Sequence, residues 1–337
     1  MGRDLPRIGV TLGCPCGVGP QVVAQALSDE KLRTAARWVI YGAPEAWRRA
    51  GGPLGLKAPL IRALDVATTT APLSLVPSAP PDERFTPGHP TARADRASAR
   101  ALTDALHAAQ AGWIHAVATG PARKASFSRI PGGPWPGHTE LFHARLGVSP
   151  APVMLFVASG MRLALHTIHL PLSRVPAAVT VPGLLTTLRT LTGGLRDQLG
   201  VKTPSVHVLG LNPHASEGGR IGREDVDVVA PAVAAARAEV LDVEGPFPAD
   251  GYFARYRERT PPGAVLALYH DQGLGPFKLW ERGRGCQMTV GLSVPRASCD
   301  HGTAYDVAGT DRVDARSMAA ALKLALRLAN REREVQG

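Results

Sequence analysis

The sequence predicts an α/β protein with largely parallel β-sheets. Short apolar segments rich in Val, Ile and Leu end in Gly or polar residues, as buried parallel strands do. Helix-like stretches lie between many of them, and this alternation is typical of α/β folds. The predicted strands are RIGVTLG, RWVIYG, IHAVATG, PVMLFVAS, MRLALHTIHL, SVHVLGLN, AVLALYH and QMTVGLSV.

Five segments have the apolar spacing and length of helices. They are PQVVAQALSDEKL, RADRASARALTDALHAAQAG, TELFHARLG, REDVDVVAPAVAAARAE and DARSMAAALKLALRLANRERE. The stretch 51–90 is rich in Pro, Ala and Thr and has weak periodicity. It predicts irregular surface or short antiparallel strands.

Length and composition limit the function classes. A chain of 337 residues is long enough for one large domain or two ordinary ones. No apolar run approaches the length of a membrane span, and the first residues, MGRDLPRIGVTLG, lack the design of a signal peptide. We therefore expect a cytoplasmic protein without a membrane partner.

The net charge of +10 raises the question of nucleic-acid binding. The basic residues are scattered, most are Arg, and only 5% of the residues are aromatic. This distribution favours solvated surface charge that attracts anionic substrates, and we expect no nucleic-acid partner.

The four cysteines, Cys14, Cys16, Cys286 and Cys299, form no CxxC pair and no zinc-type spacing. We interpret them as reduced thiols that fill small spaces near packed turns. A redox or metal role is the alternative.

A glycine-rich turn follows the first predicted strand, through Gly13, Gly17 and Gly19, and leads to Pro20 at the start of a helix. Such a turn can accept an anion, although the GxGxxG dinucleotide motif is absent. A tight structural turn explains these residues equally well.

Three histidines, His169, His214 and His270, each follow a predicted strand. Ligands in parallel sheets bind beyond the carboxyl ends of the strands. Three neutral imidazoles gathered there would suit Zn²⁺ or a similar divalent ion with open coordination positions. Loop histidines that merely hydrogen-bond to their neighbours remain the alternative.

Several polar residues in the predicted loops suit an anionic substrate. His138 and Thr139 stand at the mouth of a helix, where backbone N–H groups attract phosphate. Lys124, Lys278 and Arg296 lie in or near the strand-end loops. Helix capping by Thr139 and solvated surface cations are the alternatives.

Seven motifs occur in a recognisable order. They are T-G-P-x-x-K at 119–124, G-H-T-E at 137–140, T-x-H-L-P-L at 167–172, G-L-N-P-H-A-x-E-G-G at 210–219, P-A-D at 248–250, Y-H-D-Q-G at 269–273 and D-H-G-T-A at 300–304. In this combination the chain resembles the 4-hydroxythreonine-4-phosphate dehydrogenase family over residues 7–329.

The resemblance implies a set of site residues. The metal would be bound by His169, His214 and His270, with one ligand donated across a homodimer interface, so that the active site is shared. The implied substrate contacts are His138, Thr139, Lys278, Gln287 and Arg296. The candidates for the proton acceptor are Asp250, Asp271 and Lys124.

The segment 301–306 resembles the adenosine-binding loop of decarboxylating dehydrogenases. The implied cofactor contacts are His301, Gly302, Ala304 and Asp306. A carboxylate at Asp306 can accept from the ribose 2′-hydroxyl and would repel a 2′-phosphate, so we predict NAD rather than NADP.

The implied fold resembles isocitrate and isopropylmalate dehydrogenases, with two α/β/α domains and an interdomain cleft. We expect residues 1–125 with 270–337 to form an NAD-binding domain. Residues 126–269 would then form the domain for dimerisation and for metal and substrate binding.

The implied activity is oxidation, with decarboxylation, of 4-hydroxy-L-threonine 4-phosphate in pyridoxal phosphate (vitamin B6) biosynthesis. It would use NAD and a divalent metal, Zn, Mg or Co. The family usually has Asn at Gln287, and an acidic residue and Ala at Cys14 and Cys16. These departures make a related dehydrogenase of D-threonate or D-erythronate 4-phosphate an alternative. A metal-dependent hydrolase or aldolase is a second alternative.

Overall fold

The computed structural model describes residues 5–336 and contains two compact units. The first combines Met1–Leu146 with Leu292–Gly337, and the second is Gly147–Gly291. No helix in the described range is both long enough and apolar enough to span a membrane.

Eleven strands lie within the described range. They are β1 (Arg7–Thr11), β2 (Arg37–Gly42), β3 (Leu73–Pro77), β4 (Ala116–Thr119), β5 (Val153–Ala158), β6 (Met161–Leu165), β7 (Ser205–Leu209), β8 (Asp242–Phe247), β9 (Ala264–Ala267), β10 (Cys286–Val290) and β11 (Arg296–Cys299).

Twelve α-helices accompany these strands in residues 5–336. They are α1 (Gly19–Leu27), α2 (Glu30–Thr34), α3 (Pro44–Gly51), α4 (Ala92–Gln110), α5 (Lys124–Phe127), α6 (His138–Leu146), α7 (Val175–Ala178), α8 (Val181–Asp197), α9 (Ala230–Ala238), α10 (Ala249–Arg255), α11 (His270–Glu281) and α12 (Arg316–Gln336).

The first unit contains a five-stranded, fully parallel sheet in the order β3-β2-β1-β4-β11. Its strands are buried almost throughout, as expected when helices cover a parallel sheet. Helix α4 packs against β1 and β2, and α12 packs against β4 and β11. The apolar core of this unit includes Tyr41, Leu102 and Phe142, which are all fully buried.

The second unit contains strands in the order β10-β5-β6-β9-β7-β8. Strands β10, β5 and β6 pair antiparallel, whereas the pairs from β6 through β9 and β7 to β8 are parallel. Its core includes Phe156, Leu163 and Phe277. The predicted α/β class with largely parallel sheets is therefore confirmed.

The prediction for residues 51–90 is wrong in one respect. This stretch contains β3, which pairs parallel to β2 rather than antiparallel. Helix α3 lies between the two strands in the chain, and such a crossover connection brings the second strand back parallel to the first. The rest of the stretch includes two 3₁₀ turns, Gly52–Leu54 and Ala63–Ala67.

Two predicted helices are each divided in the structure. The first breaks before α2, where the Asp29 carboxylate accepts the backbone N–H groups of Lys31 (3.0 Å) and Leu32 (3.4 Å) as a helix cap. The second begins with a π-helical turn at Asp225–Val229 and continues as α9. Single-turn π segments often mark functional sites.

Candidate active site

Two of the predicted metal histidines lie close together in the second unit. Strands β6 and β9 are parallel neighbours, with Leu165 opposite Ala267, so the loops that follow them leave the sheet side by side. The ring centroids of His169 and His270 are 5.9 Å apart, with a tilt of 39°. The topology therefore presents two imidazoles to one region.

His270 is the first residue of α11, and a neighbouring carboxylate orients its ring. The Nδ1 atom of His270 lies 2.7 Å from Oδ1 of Asp271. A carboxylate partner on one ring nitrogen orients an imidazole so that the other nitrogen can serve as a ligand. Asp271 itself is exposed, and this contact with the histidine is its clearest structural role.

The third histidine, His214, lies on an unusual turn after β7. Four consecutive residues other than glycine, 214–217, have positive φ angles between 43° and 66°. This conformation costs free energy for residues with a side chain, and strained residues of this kind cluster at functional sites. Within residues 5–336, no group of three His, Cys, Asp or Glu side chains is placed to hold a metal ion. One chain thus brings two of the three predicted ligands together.

A buried carboxylate holds the His214 turn in place. Asp225, only 1% exposed, accepts from the backbone N–H groups of Leu211 (2.6 Å) and Asn212 (2.9 Å) and from the Ser216 hydroxyl (2.8 Å). These contacts offset the cost of the left-handed backbone. Asp225 could not be singled out from the sequence, because nothing in the pattern REDVDVV separates a buried acid from its exposed neighbours.

We expect Asp225→Asn to lower the free energy of unfolding by about 2 kcal/mol, because an amide N–H₂ would replace an acceptor that faces several donors. Urea unfolding measures this loss. Asp227→Asn is the matched control: Asp227 is half exposed and pairs with Arg223 on the surface, so its loss should stay within about 0.5 kcal/mol. Equal losses in the two variants would contradict the role assigned to Asp225.

Gln272 connects the strand exits of the second unit. Its side-chain oxygen accepts the Leu268 N–H (2.7 Å), and its amide donates to the Gly210 carbonyl (2.6 Å). The Thr167 hydroxyl donates to the Leu268 carbonyl (2.6 Å). These buried bonds join the ends of β6, β9 and β7, which precede the three histidines.

The first unit contains a buried arginine among the predicted substrate contacts. Arg296 is 2% exposed, and its guanidinium donates twice to the hydroxyl of Thr119, at 3.1 and 2.8 Å. It also stands 5.4 Å from the ring centre of Phe142. Burial lowers the pKa of the guanidinium to about 9, so the group is still charged at neutral pH.

His138 lies at the start of α6 with a ring nitrogen that lacks a partner. Its Nε2 atom is buried and makes no hydrogen bond within residues 5–336. The ring packs edge-on against Phe127 at 4.8 Å. Burial, with a smaller contribution from the positive charge of Arg296, holds its pKa well below the ordinary value. A neutral imidazole, a buried Thr139 and a helix N-terminus together suit a phosphate.

The other predicted substrate and catalytic residues occupy varied settings. Gln287 is 4% exposed on β10 and donates to the Met288 carbonyl at 2.7 Å. Lys278 is half-buried on α11. Asp250 is exposed in the first turn of α10, and Lys124 is exposed at the start of α5. The structure therefore selects no proton acceptor among Asp250, Asp271 and Lys124.

The predicted cofactor segment 301–306 packs against the glycine-rich turn of the same unit. Val18 donates its N–H to the Thr303 carbonyl (3.0 Å), and a Cβ on Gly17 would lie 2.8 Å from that oxygen. Gly17 is therefore explained by close backbone packing. In the segment itself, Ala304 has a φ of 42°, and Asp306 is exposed.

His301 and Gly302 leave room for a ligand. The buried Nε2 atom of His301 has no hydrogen-bond partner in the described part of the chain, while Nδ1 lies 2.9 Å from the Gly302 carbonyl. A Cβ added at Gly302 would meet nothing within 4 Å. An unsatisfied buried nitrogen beside open space fits a polar ligand.

His166, which directly follows β6 in the second unit, should make stability depend on pH. Burial lowers its pKa from 6.5 to about 4, partly offset by the Ala178 carbonyl. As the pH falls below 6.5, the unfolded chain takes up a proton that the folded chain excludes. We therefore expect stability to fall by about 1 kcal/mol between pH 6.5 and about 5.5, and this contribution to vanish at higher pH.

Urea unfolding at both pH values, in His166→Gln and the unmodified chain, measures this contribution. The variant should lose about 1 kcal/mol less over that interval. Replacing the exposed His107 with Gln should leave the difference between the two pH values unchanged. An unaltered pH dependence in His166→Gln would refute the assignment.

The chain matches known proteins over nearly its whole length. The family model described as pyridoxal phosphate biosynthetic protein PdxA matches residues 34–325. A relative from Trichlorobacter lovleyi, named 4-hydroxythreonine-4-phosphate dehydrogenase, is 39% identical over 98% of this chain and 99% of its own. The crystal structure of a protein of that name from Klebsiella pneumoniae is 32% identical, with a TM-score of 0.81, and the match covers 96% of this chain and 99% of that one.

A more distant structure shows that related chains carry other names. A terephthalate 1,2-cis-dihydrodiol dehydrogenase from Burkholderia xenovorans is 25% identical with a TM-score of 0.63, and the match covers 96% of this chain and 98% of that one. The long family match and the identity to curated dehydrogenases agree with the motifs of the sequence. The chain therefore belongs to the pyridoxal phosphate biosynthetic PdxA family and is an oxidoreductase of that type.

Proposed function

We propose that this chain is a cytoplasmic, homodimeric dehydrogenase that oxidises and decarboxylates 4-hydroxy-L-threonine 4-phosphate in pyridoxal phosphate biosynthesis, with NAD and a divalent metal. The observation that carries the proposal is the pair of strand-exit imidazoles, His169 and His270, in a chain whose relatives are named for this activity. Those names argue against the hydrolase or aldolase alternative.

The donor chemistry of the imidazole pair fits Zn or Co better than Mg, which prefers oxygen ligands. Nitrogen ligands suit zinc and cobalt, and three protein ligands with an open position are the usual form of a catalytic site. His169 and His270 supply two ligands in one chain. A further histidine donated by a second copy would complete the set of His169, His214 and His270, and we therefore propose a dimer with a shared site.

The phosphate group of the substrate would bind to residues of the first unit. Arg296 supplies a buried positive charge, and His138 supplies a buried nitrogen without a partner. Because His138 stays neutral, it can donate one hydrogen bond to a phosphate oxygen without adding charge. We propose that these two residues and Thr139 bind the phosphate, while Lys278 and Gln287 contact the remaining polar groups.

The metal and NAD would supply part of the chemistry, and side chains of this chain would supply the rest. When bound, the metal would lower the proton affinity of the substrate alcohol, and NAD would accept the hydride. Asp271 would orient the His270 ring through their 2.7 Å contact. Asp250, Asp271 or Lys124 would take up the alcohol proton, and a pH–rate profile for each variant would identify which one.

The test is NAD reduction measured with three substrates and several divalent metals. The substrates are 4-hydroxy-L-threonine 4-phosphate, D-threonate 4-phosphate and D-erythronate 4-phosphate. We expect the first to give the highest kcat/KM and a chelator to abolish turnover. No NADH with any of the three would refute the proposed activity.

The buried Gln287 favours a second candidate substrate. Gln287 has a longer side chain than the Asn that the family usually has at this position of predicted substrate contact. Because Gln287 is 4% exposed, the longer side chain would change the shape of the space available to the substrate. A dehydrogenase of D-threonate or D-erythronate 4-phosphate is therefore the alternative. In that case kcat/KM would be highest for one of these acids, and Gln287→Asn would move the preference toward the amino acid.

Asp306 should make the enzyme prefer NAD. We expect kcat/KM with NADP to be at least about tenfold lower than with NAD, because the carboxylate would lie near the 2′-phosphate. Asp306→Asn should narrow that ratio by relieving the repulsion. Steady-state kinetics with both cofactors measures it, and a preference of the unmodified chain for NADP would refute the assignment.

A further inference from the structure

Cys14 and Cys16 flank Pro15 in the turn after β1. Both side chains are fully buried, and both are free thiols. The turn is closed by a hydrogen bond from the Gly17 N–H to the Cys14 carbonyl (3.0 Å). Two thiols separated by one residue are thus held together in a fixed turn.

The Cys14 sulfur accepts several hydrogen bonds. The Tyr305 hydroxyl donates to it at 3.2 Å. The Cys16 thiol and the Cys16 backbone N–H act on it in the same way. Because sulfur is a weak acceptor when neutral and a strong one as a thiolate, these donors favour its ionised form.

The two thiols differ in acidity as a consequence. The Cys16 thiol, followed by Tyr305, lowers the pKa of Cys14 to about 6 against the opposing effects of burial and of Asp95. The pKa of Cys16 is raised by its bond to Cys14 and by burial. One thiolate and one thiol sharing a proton is the arrangement of a nucleophilic and a resolving cysteine.

The other two cysteines provide a contrast within the same chain. Burial raises the pKa of Cys299 to about 12, and its thiol donates to the His301 carbonyl at 3.8 Å. Cys286 donates to the Val157 carbonyl at 3.7 Å. Neither thiol has a cysteine neighbour two residues away. We therefore treat both as internal controls.

We propose that Cys14 and Cys16 form a redox-active dithiol that a small hydroperoxide oxidises to an intramolecular disulfide. The Cys14 thiolate attacks the peroxide O–O bond, which yields Cys14 sulfenic acid and releases hydroxide. The Cys16 thiol then attacks the sulfenic sulfur, so that the S–S bond forms and water leaves. Two electrons pass from the sulfurs to the peroxide, and a dithiol reductant reverses the change.

The burial of Cys14 and Cys16 limits the size of the oxidant that can reach them. Since both thiols are buried, hydrogen peroxide should react in preference to bulky disulfide reagents. Disulfide formation would also remove the thiolate that accepts from Tyr305, a residue of the segment predicted to bind the cofactor. The dithiol site itself does not depend on the proposed function.

The test uses the full-length reduced protein and hydrogen peroxide. After treatment the protein is denatured, alkylated with iodoacetamide and digested with trypsin, which releases both cysteines in one peptide, residues 8–31. We expect this peptide to lose two hydrogen atoms and to take up no alkyl group, while Cys286 and Cys299 are alkylated in full. Dithiothreitol before alkylation should restore both sites.

Variants separate the roles of the two thiols. In Cys16→Ser, Cys14 should stop at the sulfenic acid, which dimedone traps when the protein is denatured in its presence. Tyr305→Phe should slow oxidation at neutral pH severalfold, since it removes a donor to the thiolate. Cys299→Ser should change neither rate nor product. Alkylation of both cysteines after peroxide treatment of the unmodified protein, or oxygen addition without the disulfide, would overturn the proposal.

Discussion

Replacing His270 with alanine should lower kcat at least about a thousandfold and remove the bound divalent metal. His270 provides one of the two imidazoles that face each other in the second unit, 5.9 Å apart by ring centroid. A metal that stabilises the developing alkoxide contributes several kcal/mol to catalysis, and each 1.36 kcal/mol corresponds to about tenfold in rate. Loss of the proposed ligand His270 would forfeit that contribution.

Two measurements check this result: the metal content of the purified protein and kcat with saturating metal. His107→Ala is the control, because that exposed ring lies on α4 in the other unit and contacts Trp113. It should bind metal and turn over as the unmodified chain does. Full metal content together with normal kcat in His270→Ala would remove His270 from the metal site.

Mixed dimers would show whether the site is shared. Alanine variants of His169, His214 and His270 are each expected to be inactive alone. If one ligand comes from the partner subunit, the alanine variant of that donated histidine can be combined with an alanine variant of either other histidine. The resulting mixed dimer retains one intact site. Random mixing produces half mixed dimers, so about a quarter of the activity should return.

The pattern of recovery also identifies the donated residue. Only pairs that include the variant of the donated histidine should regain activity. If all three ligands came from one chain, no pair of variants would recover, because each subunit would lack a ligand of its own site. That result would contradict the shared site proposed above.

The sequence allowed two metal candidates to be placed because strand ends are easy to locate. Apolar runs end abruptly before His169 and His270, and parallel neighbours such as β6 and β9 bring their exits together. The turn that carries His214 could not be predicted, since left-handed φ angles at four consecutive side-chain-bearing residues follow from contacts distant in the chain. Asp225, which makes those contacts, lies nine residues beyond Ser216.

Two of the strands that sequence reasoning missed are short or have a weak apolar pattern. Strand β11 has four residues, RASC, and includes a buried arginine that an apolar pattern excludes. Strand β8 is an edge strand with exposed acidic residues, so its burial pattern is weak. The Cys14–Tyr305 bond joins residues 291 positions apart, and no local pattern contains that information.

Replacing Arg296 with lysine should lower kcat/KM for a phosphorylated substrate about a hundredfold, or about 2.7 kcal/mol. The guanidinium is fully buried and fixed by two hydrogen bonds to Thr119 and by the ring of Phe142. A planar fork held in this way can meet two oxygens of a phosphate at once, whereas an ammonium is a point charge on a flexible stem. The variant keeps the positive charge, so a loss of kcat/KM would report the geometry of the donor group and not its charge.

Thr119→Val tests the same site by changing the hydrogen-bond acceptor of Arg296 instead of the arginine itself. It keeps the guanidinium and the side-chain shape but removes the hydroxyl that accepts from it, and we expect kcat/KM to fall about tenfold. Arg100→Lys is the control, because that arginine is exposed on α4 and pairs with Asp104 at the surface. Thermal unfolding of each variant separates a loss of substrate binding from a loss of stability.

The two substitutions at the site should also act non-additively. If Thr119 works by fixing the guanidinium, its hydroxyl contributes little once Arg296 has become lysine. The double variant should then fall only slightly below Arg296→Lys alone, whereas independent roles would multiply the two losses. Unchanged kcat/KM in Arg296→Lys, with folding intact, would mean that the phosphate binds elsewhere and that the buried arginine serves the packing around Thr119 and Phe142.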